Sequence, residues 1–454
     1  GSSPLPLDLY QTIIEVPMEV VEVETSVVVP AEPTKRGRLF LSNIDLTLVA
    51  YHESVAFFLP KPVPDPFPEV EKTLKTALTR LLVHYDFMAG RLAPTPAGVL
   101  EIDCNDAGVV VATATASCSL EWLGELMMPK PEYKELVKHL VGHLNKKNME
   151  DKPLLLLQLT RFQCGGHALA CLCNHCTLDG IGIRTFCANL AACTLGKDLL
   201  VPPNPDRTIF KARVPPKISY PHHEYSKLSP QELSPFSIPG ECHADLFMHD
   251  GAILTPSSVF IPQSKIDAMK SQVLAAGKLK KVTDFHVVAA KVWKERSLAI
   301  GMPDDCTSTM LFPVDVRRHM SPKLGPGFAG NALVPGFACA TVLELKSQGL
   351  SFCVEKVQEG LERLDEEYIR SGIDWLEVNR GAPRVVDSFS VVAWTKIGFG
   401  EEDFWWGKAE CLVPVELKPG LVMLLPGDEG SLGINVCLAL PNEQMKAFCQ
   451  LMVL

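Results

Sequence analysis

No stretch of the chain comes near the 18 consecutive apolar residues that a helix needs to span a bilayer, so insertion into a membrane is not expected. Positive charge is also in short supply. The 43 Lys and Arg are outnumbered by 53 Asp and Glu, a net charge of −10, and binding nucleic acid or an anionic surface requires clustered bases to neutralise phosphate. An anionic ligand therefore has to be held by a local basic patch. The 15 Cys follow no regular spacing, which suits reduced thiols in a cytoplasmic protein and not a disulfide scaffold. The opening residues lack a basic segment followed by an apolar one, so no secretory context is implied, and Gly1-Ser2-Ser3-Pro4 reads as a cloning remnant. A G-x-S-x-G nucleophile elbow is missing, as are internal repeats and polar low-complexity tracts.

With 454 residues, 47% of them hydrophobic and 21% charged, the chain is globular and too long for one ordinary core. Two domains are expected. Prolines crowd the stretch Val201 to Pro239, in VPPNP, VPP, SYPHH, SPQEL and IPG. That stretch reads as a crossover linker (201–239) between domains at 1–200 and 240–454. Residues 11–29 are β-branched and partly alternating and read as one or two strands. From Glu69 to Leu82 the apolar positions take helical spacing, with Val70, Leu74, Ala77, Leu78, Leu81 and Leu82 on one face. In the second half, Thr283 is placed to cap a helix that buries Phe285, Val288, Ala289, Val292 and Trp293. His286 stands where a full capping box has Glu or Gln. One helix is expected from Leu350 to Ile369. The closing segment reads as strand, glycine-rich turn, strand and terminal helix, so each half carries a sheet and helices.

The most telling local pattern is His175-Cys176-Thr177-Leu178-Asp179-Gly180. It follows LLLLQLTRFQCGGHALACLC at 154–173, which reads as two buried strands broken by Gly165-Gly166. An imidazole at the end of a core strand, beside a glycine-loosened turn, is placed to act as a general base on a substrate proton. The nearby Cys171, Cys173 and Cys176 do not make a zinc site: alternation along a strand aims Cys171 and Cys173 together and Cys176 elsewhere, and no metal is expected. Asp179 would stack on His175 in a continuous helix, but Gly180 and Gly182 argue for a turn. The carboxylate then points away and needs a cationic partner, because an unpaired buried charge is costly.

The segment NHCTLDG at 174–180 resembles the H-x-x-x-D-G signature of the plant BAHD acyl-CoA-dependent acyltransferases. Further segments fall in the same order: LSNID at 41–45, LLVHYDFMAGRL at 81–92, EIDCND at 101–106, PDRTIFKARVPP at 205–216, TDFHVVAAKVW at 283–293, FPVDVRRHMSPKLGPGFAGNAL at 312–333 and DFWWG at 403–407. The resemblance implies an α/β (α+β) monomer of two similar chloramphenicol-acetyltransferase-like domains, each a mixed sheet with helices, joined by a long crossover loop. A channel would run between them with His175 at its middle. It implies transfer of an acyl group, of hydroxycinnamoyl type, from a CoA thioester to an alcohol or amine. CoA is then a co-substrate and no cofactor is bound permanently. Asp179 is carried over as the partner of Arg317, and Trp394 as an indole donor to the developing oxyanion, although Ala393 replaces the serine that usually precedes it. Thr283, Lys280 and Lys281 sit where the family holds pantetheine and CoA phosphates, the alternative being a capped helix with solvated lysines. Arg380 in NRGAP is either a basic residue for an acceptor carboxylate or an exposed loop arginine. In Asp403-Phe404-Trp405-Trp406-Gly407, Trp405 replaces a glycine, and strain is expected there if that position has a positive φ. A catalytically weak CoA-ester-binding relative and a thioester hydrolase are the alternatives to a transferase.

Overall fold

The computed structural model describes residues 17–61, 67–228, 253–395, 400–427 and 431–453. The start of the strand expected over 11–29 and the linker beyond residue 228 lie outside them. The first half holds strands β1 (Val20–Val28), β2 (Arg38–Leu39), β3 (Tyr51–Phe58), β4 (Arg91–Pro94), β5 (Leu100–Asp103), β6 (Val109–Ala116), β7 (Leu155–Arg161), β8 (His167–Asn174) and β9 (Tyr225–Lys227). The second holds β10 (Leu254–Pro262), β11 (Thr307–Asp315), β12 (Leu333–Thr341), β13 (Gly381–Pro383), β14 (Ser388–Ala393), β15 (Cys411–Pro414), β16 (Leu421–Pro426) and β17 (Gly433–Pro441). The helices are α1 (Asn43–Leu46), α2 (Phe67–His84), α3 (Lys138–Val141), α4 (Gly180–Thr194), α5 (Gln263–Ala275), α6 (Asp284–Ala299), α7 (Val342–Ser347), α8 (Leu350–Glu362), α9 (Glu366–Asn379) and α10 (Asn442–Met452).

Two six-stranded sheets organise the molecule, each mixed. The first runs β1-β6-β7-β8-β3-β15, with β6 and β7 parallel and the other pairs antiparallel. The second runs β10-β17-β16-β14-β11-β12, with β14 parallel to both β11 and β16. Strand β15 belongs to the second half of the chain yet pairs with β3 at the edge of the first sheet, so the segment after DFWWG crosses back to the other half.

Local sequence accounts for most of these elements. The six apolar residues at helical spacing between 70 and 82 are the buried face of α2, which packs with Phe186 and Leu190 of α4 in the core beside the first sheet. The Gly165-Gly166 break separates β7 from β8; Gly165 has φ +88°, and a Cβ on Gly166 would lie 2.9 Å from the Phe58 carbonyl oxygen, so a side chain there has no room. A second core, centred on Trp293, Val288 and Phe448, joins α5, α6, α8 and α10 to the second sheet. A third group, Ile44, Phe210, Val316, Phe328, Val334 and Ile373, welds α1, the crossover and the second half together.

Two expectations need correction. The single helix over 350–369 is two, because Asp365 turns extended and its carboxylate accepts the Tyr368 N–H at 2.8 Å, starting a new helix. The capping box at Thr283 is complete despite its histidine. Thr283 Oγ1 accepts the His286 N–H at 3.2 Å, and His286 Nδ1 accepts the Thr283 N–H at 3.1 Å, the bare imidazole nitrogen doing the work of a carboxylate.

Candidate active site

The chain leaves β8 at Asn174 through a turn held by that residue. Asn174 Oδ1 accepts the Cys176 N–H at 3.1 Å, and its carbonyl accepts the Thr177 hydroxyl at 2.7 Å. His175 projects from this turn, anchored by its N–H to the Ala50 carbonyl at 2.8 Å. Arg207 of the crossover underpins the turn. Its guanidinium donates to the carbonyls of Cys176 (2.7 Å), Thr177 (2.5 Å) and Ala329 (3.0 Å) and lies 3.2 Å from the Asp45 carboxylate, entirely out of solvent.

The geometry determines which imidazole nitrogen is free. Asn331 donates its amide hydrogens to two oxygens that can only accept, Asp45 Oδ1 at 2.9 Å and the His175 carbonyl at 2.7 Å. Its Oδ1 is thereby turned toward His175 Nδ1, 3.0 Å away, and requires a proton there. Nε2 keeps its lone pair. Asp45 is itself fixed by the capping box of α1, where its Oδ2 accepts the Ser42 N–H at 2.9 Å. The chain Arg207–Asp45–Asn331–His175 thus runs from a buried cation to an oriented base.

Asp179 does not stack on His175. It is the N-cap of α4, which begins at Gly180, so a helix does form at the two glycines, one residue after the aspartate. Its Oδ1 accepts the Gly182 N–H at 2.8 Å and its Oδ2 the Ala332 N–H at 3.0 Å. Arg317 closes on the same carboxylate with two bonds, 2.8 and 2.9 Å, while also holding Asp315 at 3.1 Å. A buried carboxylate that accepts four hydrogen bonds, two of them from one bidentate guanidinium, is fully satisfied. The pair ties the α4 N-terminus to the second half of the chain.

His175 is half-buried and His52 exposed by accessible surface, yet protein surrounds both on every side. The surface they show is therefore the wall of a recess and not the outer face of the protein. Cys171 and Cys187 combine the same two properties and extend that wall along β8 and α4. Desolvation lowers the pKa of His175, opposed by hydrogen bonding at its own backbone, by Asp179 and by Asn331, so the ring is neutral at pH 7. Burial pushes the Cys171 thiol well above its ordinary range and Cys173 up to about 11, which makes both poor nucleophiles.

The other expected residues are dispersed. Trp394 follows β14, partly buried against the cluster of Leu417, Met423 and Leu425, with its backbone N–H on the Leu424 carbonyl at 2.9 Å. Lys280 and Lys281 are exposed just before the N-terminus of α6. Asp284, in the first turn of α6, is 2.9 Å from Lys270. Arg380 is exposed in the left-handed C-cap of α9 (φ 46°). The strain expected at Trp405 is absent: the positive φ in this motif falls on Gly407 (+111°), not on Trp405. Paired bonds between Phe404 and Gly407 close a tight turn that leaves Trp405 44% exposed. Phe404 and Trp406 stack at 4.9 Å and pack edge-on against Phe58 at the far end of β3 from His52.

Four residues of the site had no individual signal in the sequence reading: His52, Asp45, Arg207 and Asn331. Three of them lie in the quoted segments LSNID, PDRTIFKARVPP and FPVDVRRHMSPKLGPGFAGNAL. Their meaning depends on contacts 156 and 286 residues apart in the chain.

Two mixed α/β halves, with an oriented imidazole at the end of β8, define the class as a two-domain acyltransferase fold. Vinorine synthase shares it, with TM-score 0.73, 20% identity, and 94% of this chain and 96% of that one covered. So does the F. sporotrichioides TRI101 structure complexed with coenzyme A and T-2, with TM-score 0.65, 17% identity, and coverage of 91% and 96%. A family model described as "Transferase family" matches residues 18–453. Among curated relatives, Acyltransferase GLAUCE of Arabidopsis thaliana is 36% identical over 95% of both chains. Omega-hydroxypalmitate O-feruloyl transferase of the same plant is 32% identical over 95% of this chain and 92% of its own. The chain belongs to the BAHD family and is an acyl-CoA-dependent acyltransferase.

Proposed function

We propose that this protein moves a hydroxycinnamoyl-type acyl group from its CoA thioester to the hydroxyl or amine of a small acceptor, with His175 Nε2 as general base. The observation that carries this reading is the Asn331 hydrogen bond that holds the His175 proton on Nδ1 and leaves Nε2 bare. Nε2 takes the acceptor proton as the acceptor heteroatom bonds to the thioester carbonyl carbon. The tetrahedral intermediate then expels CoA thiolate, and His175 returns the proton to sulfur. Neutrality near pH 7 suits both steps. Asp179 and Arg317 act by position, holding the turn and the α4 N-terminus. Trp394 is assigned the oxyanion, and Thr283, Lys280 and Lys281 the pantetheine and phosphates of CoA. For the latter two, the positive charge beside a helix N-terminus is the supporting chemistry.

The hydroxycinnamoyl assignment is supported by relatives named for feruloyl transfer to ω-hydroxypalmitate, for caffeoyl-CoA transfer to fatty alcohols at 31% identity, and for hydroxycinnamoyl transfer to shikimate at 28% identity. The test is mass spectrometry of p-coumaroyl-CoA or caffeoyl-CoA incubated with shikimate, quinate, spermidine, a fatty alcohol and an ω-hydroxy fatty acid. A new ester or amide, lost in His175→Ala, supports the reading. Free acid formed without any acceptor would make the protein a thioester hydrolase. Binding of the CoA ester with no turnover would make it a binding relative.

A further inference from the structure

A second imidazole lies against His175 and has no part in the chemistry described so far. His52 stands on β3 in register with Cys173 of β8, two residues before His175. The two rings meet edge-on, with centroids 4.4 Å apart and planes at 68°. Neither ring nitrogen of His52 meets a hydrogen-bond partner among the described residues. Its ring is accessible beside His175, in the same recess.

The ring is accessible and no group among the described residues occupies its nitrogens, so both stay open to whatever enters beside His175. A substrate atom bound at His175 therefore lies within reach of a second imidazole. Burial, then His175, then Lys418 hold His52 uncharged at neutral pH. It therefore offers one N–H donor and one lone pair, and can exchange them between its two nitrogens.

We propose that His52 is a second catalytic imidazole, which hydrogen-bonds the acceptor's nucleophilic atom while His175 removes that atom's proton. This rests on the acyl-transfer reading. An alcohol oxygen sends its proton to His175 Nε2, attacks the thioester carbon with one lone pair, and has a second lone pair to accept the His52 N–H. An amine nitrogen uses its only lone pair in the attack, gives one proton to His175, and has another N–H to donate to the bare nitrogen of His52. One bond to carbon forms, the C–S bond breaks, and the proton passes from His175 to thiolate, while His52 keeps the same proton count throughout. An ammonium could not accept from the amine, and a carboxylate could not donate to the alcohol.

The experiment compares His52→Phe, which keeps an aromatic ring beside His175, with His52→Gln, which keeps one donor and one acceptor. The kcat and the KM for donor and acceptor are measured on the substrate pair whose product His175→Ala abolishes, with thermal melting of each variant. His52→Phe is expected to lower kcat by about 10-fold to 100-fold, the effect of losing one hydrogen bond to an atom that gains charge as it reacts. Its acyl-CoA KM should stay within about twofold, and His52→Gln should recover most of the rate. A phenylalanine variant with wild-type kcat overturns the proposal, and so does an equal loss in both variants or a loss confined to the acyl-CoA KM. If the wild type transfers nothing, the acyl-transfer reading has failed and this assignment falls with it. If the wild type transfers, His175→Ala does not, and His52→Phe is unimpaired, the His52 assignment alone is wrong.

Discussion

Asn331→Ala is expected to damage turnover far more than substrate binding. The Asn331 Oδ1 contact to His175 Nδ1, at 3.0 Å, holds the tautomer that leaves Nε2 free. A neutral hydrogen bond of this kind contributes about 1 kcal/mol net, so its loss shifts the tautomer ratio by roughly fivefold. Added freedom of the ring takes the expected fall in kcat to about 10-fold. The acyl-CoA KM should move by less than about twofold, because the amide reaches only His175 and Asp45. The same change strips donors from the His175 carbonyl and Asp45 Oδ1, at about 1–3 kcal/mol each, so the melting temperature should drop as well. Asn331→Asp is the sharper variant. It keeps an oxygen on Nδ1 but adds a negative charge, which favours imidazolium and moves the acid limb of kcat/KM to higher pH. Steady-state transfer measured from about pH 5 to pH 9 reads both effects. An alanine variant with unchanged kcat, or an aspartate variant whose acid limb moves down, would refute the reasoning.

Four further outcomes follow from the same contacts. Arg317→Gln leaves the Asp179 carboxylate buried without its cation, and should destabilise the protein by about 3–5 kcal/mol; a denaturant melt with an unchanged midpoint would contradict the pairing. Trp405→Gly should leave kcat unchanged and alter stability by no more than about 1 kcal/mol, since the half-exposed indole is unstrained; a loss of kcat at constant stability would count against this. For the wild type, the acid limb of kcat/KM should lie below pH 6.5, because burial depresses His175. Stability should also fall as acid is added. His167 is held down to about 4 by burial and then by Lys61, so below pH 6.5 the unfolded chain takes up a proton that the fold refuses. That contribution is complete above pH 6.5 and shrinks by roughly 3 kcal/mol on reaching pH 4; thermal melts that do not move between these values would disprove it.

Much of the framework is legible in the residues themselves. The face of α2, the Gly165-Gly166 break and the emergence of His175 from β8 all follow from periodicity and turn chemistry acting over a few residues. The need of Asp179 for a cationic partner is legible too, because two glycines argue against a continuous helix from His175. Its place as N-cap of α4 uses the same glycines one residue later, where an N-cap needs no helical φ of its own. The orientation of His175 was not legible, because it depends on Asn331 and Asp45, which sequence separation hides. Whether Trp405 is strained was not legible for a related reason: strain depends on which residue of a turn takes the positive φ, and that residue is Gly407. His286 completing a capping box shows that the side-chain atom available matters more than the residue type usually found there.

The central claim, that His175 Nε2 receives the acceptor proton during acyl transfer, is tested most directly by single-turnover product formation in wild type and His175→Ala. The acyl-CoA is p-coumaroyl-CoA or caffeoyl-CoA, and the acceptor is whichever one the panel identifies. The account predicts a rate at least about 100-fold lower in the variant, with acyl-CoA affinity preserved. Equal single-turnover rates in the two proteins would contradict it, and would place the base elsewhere.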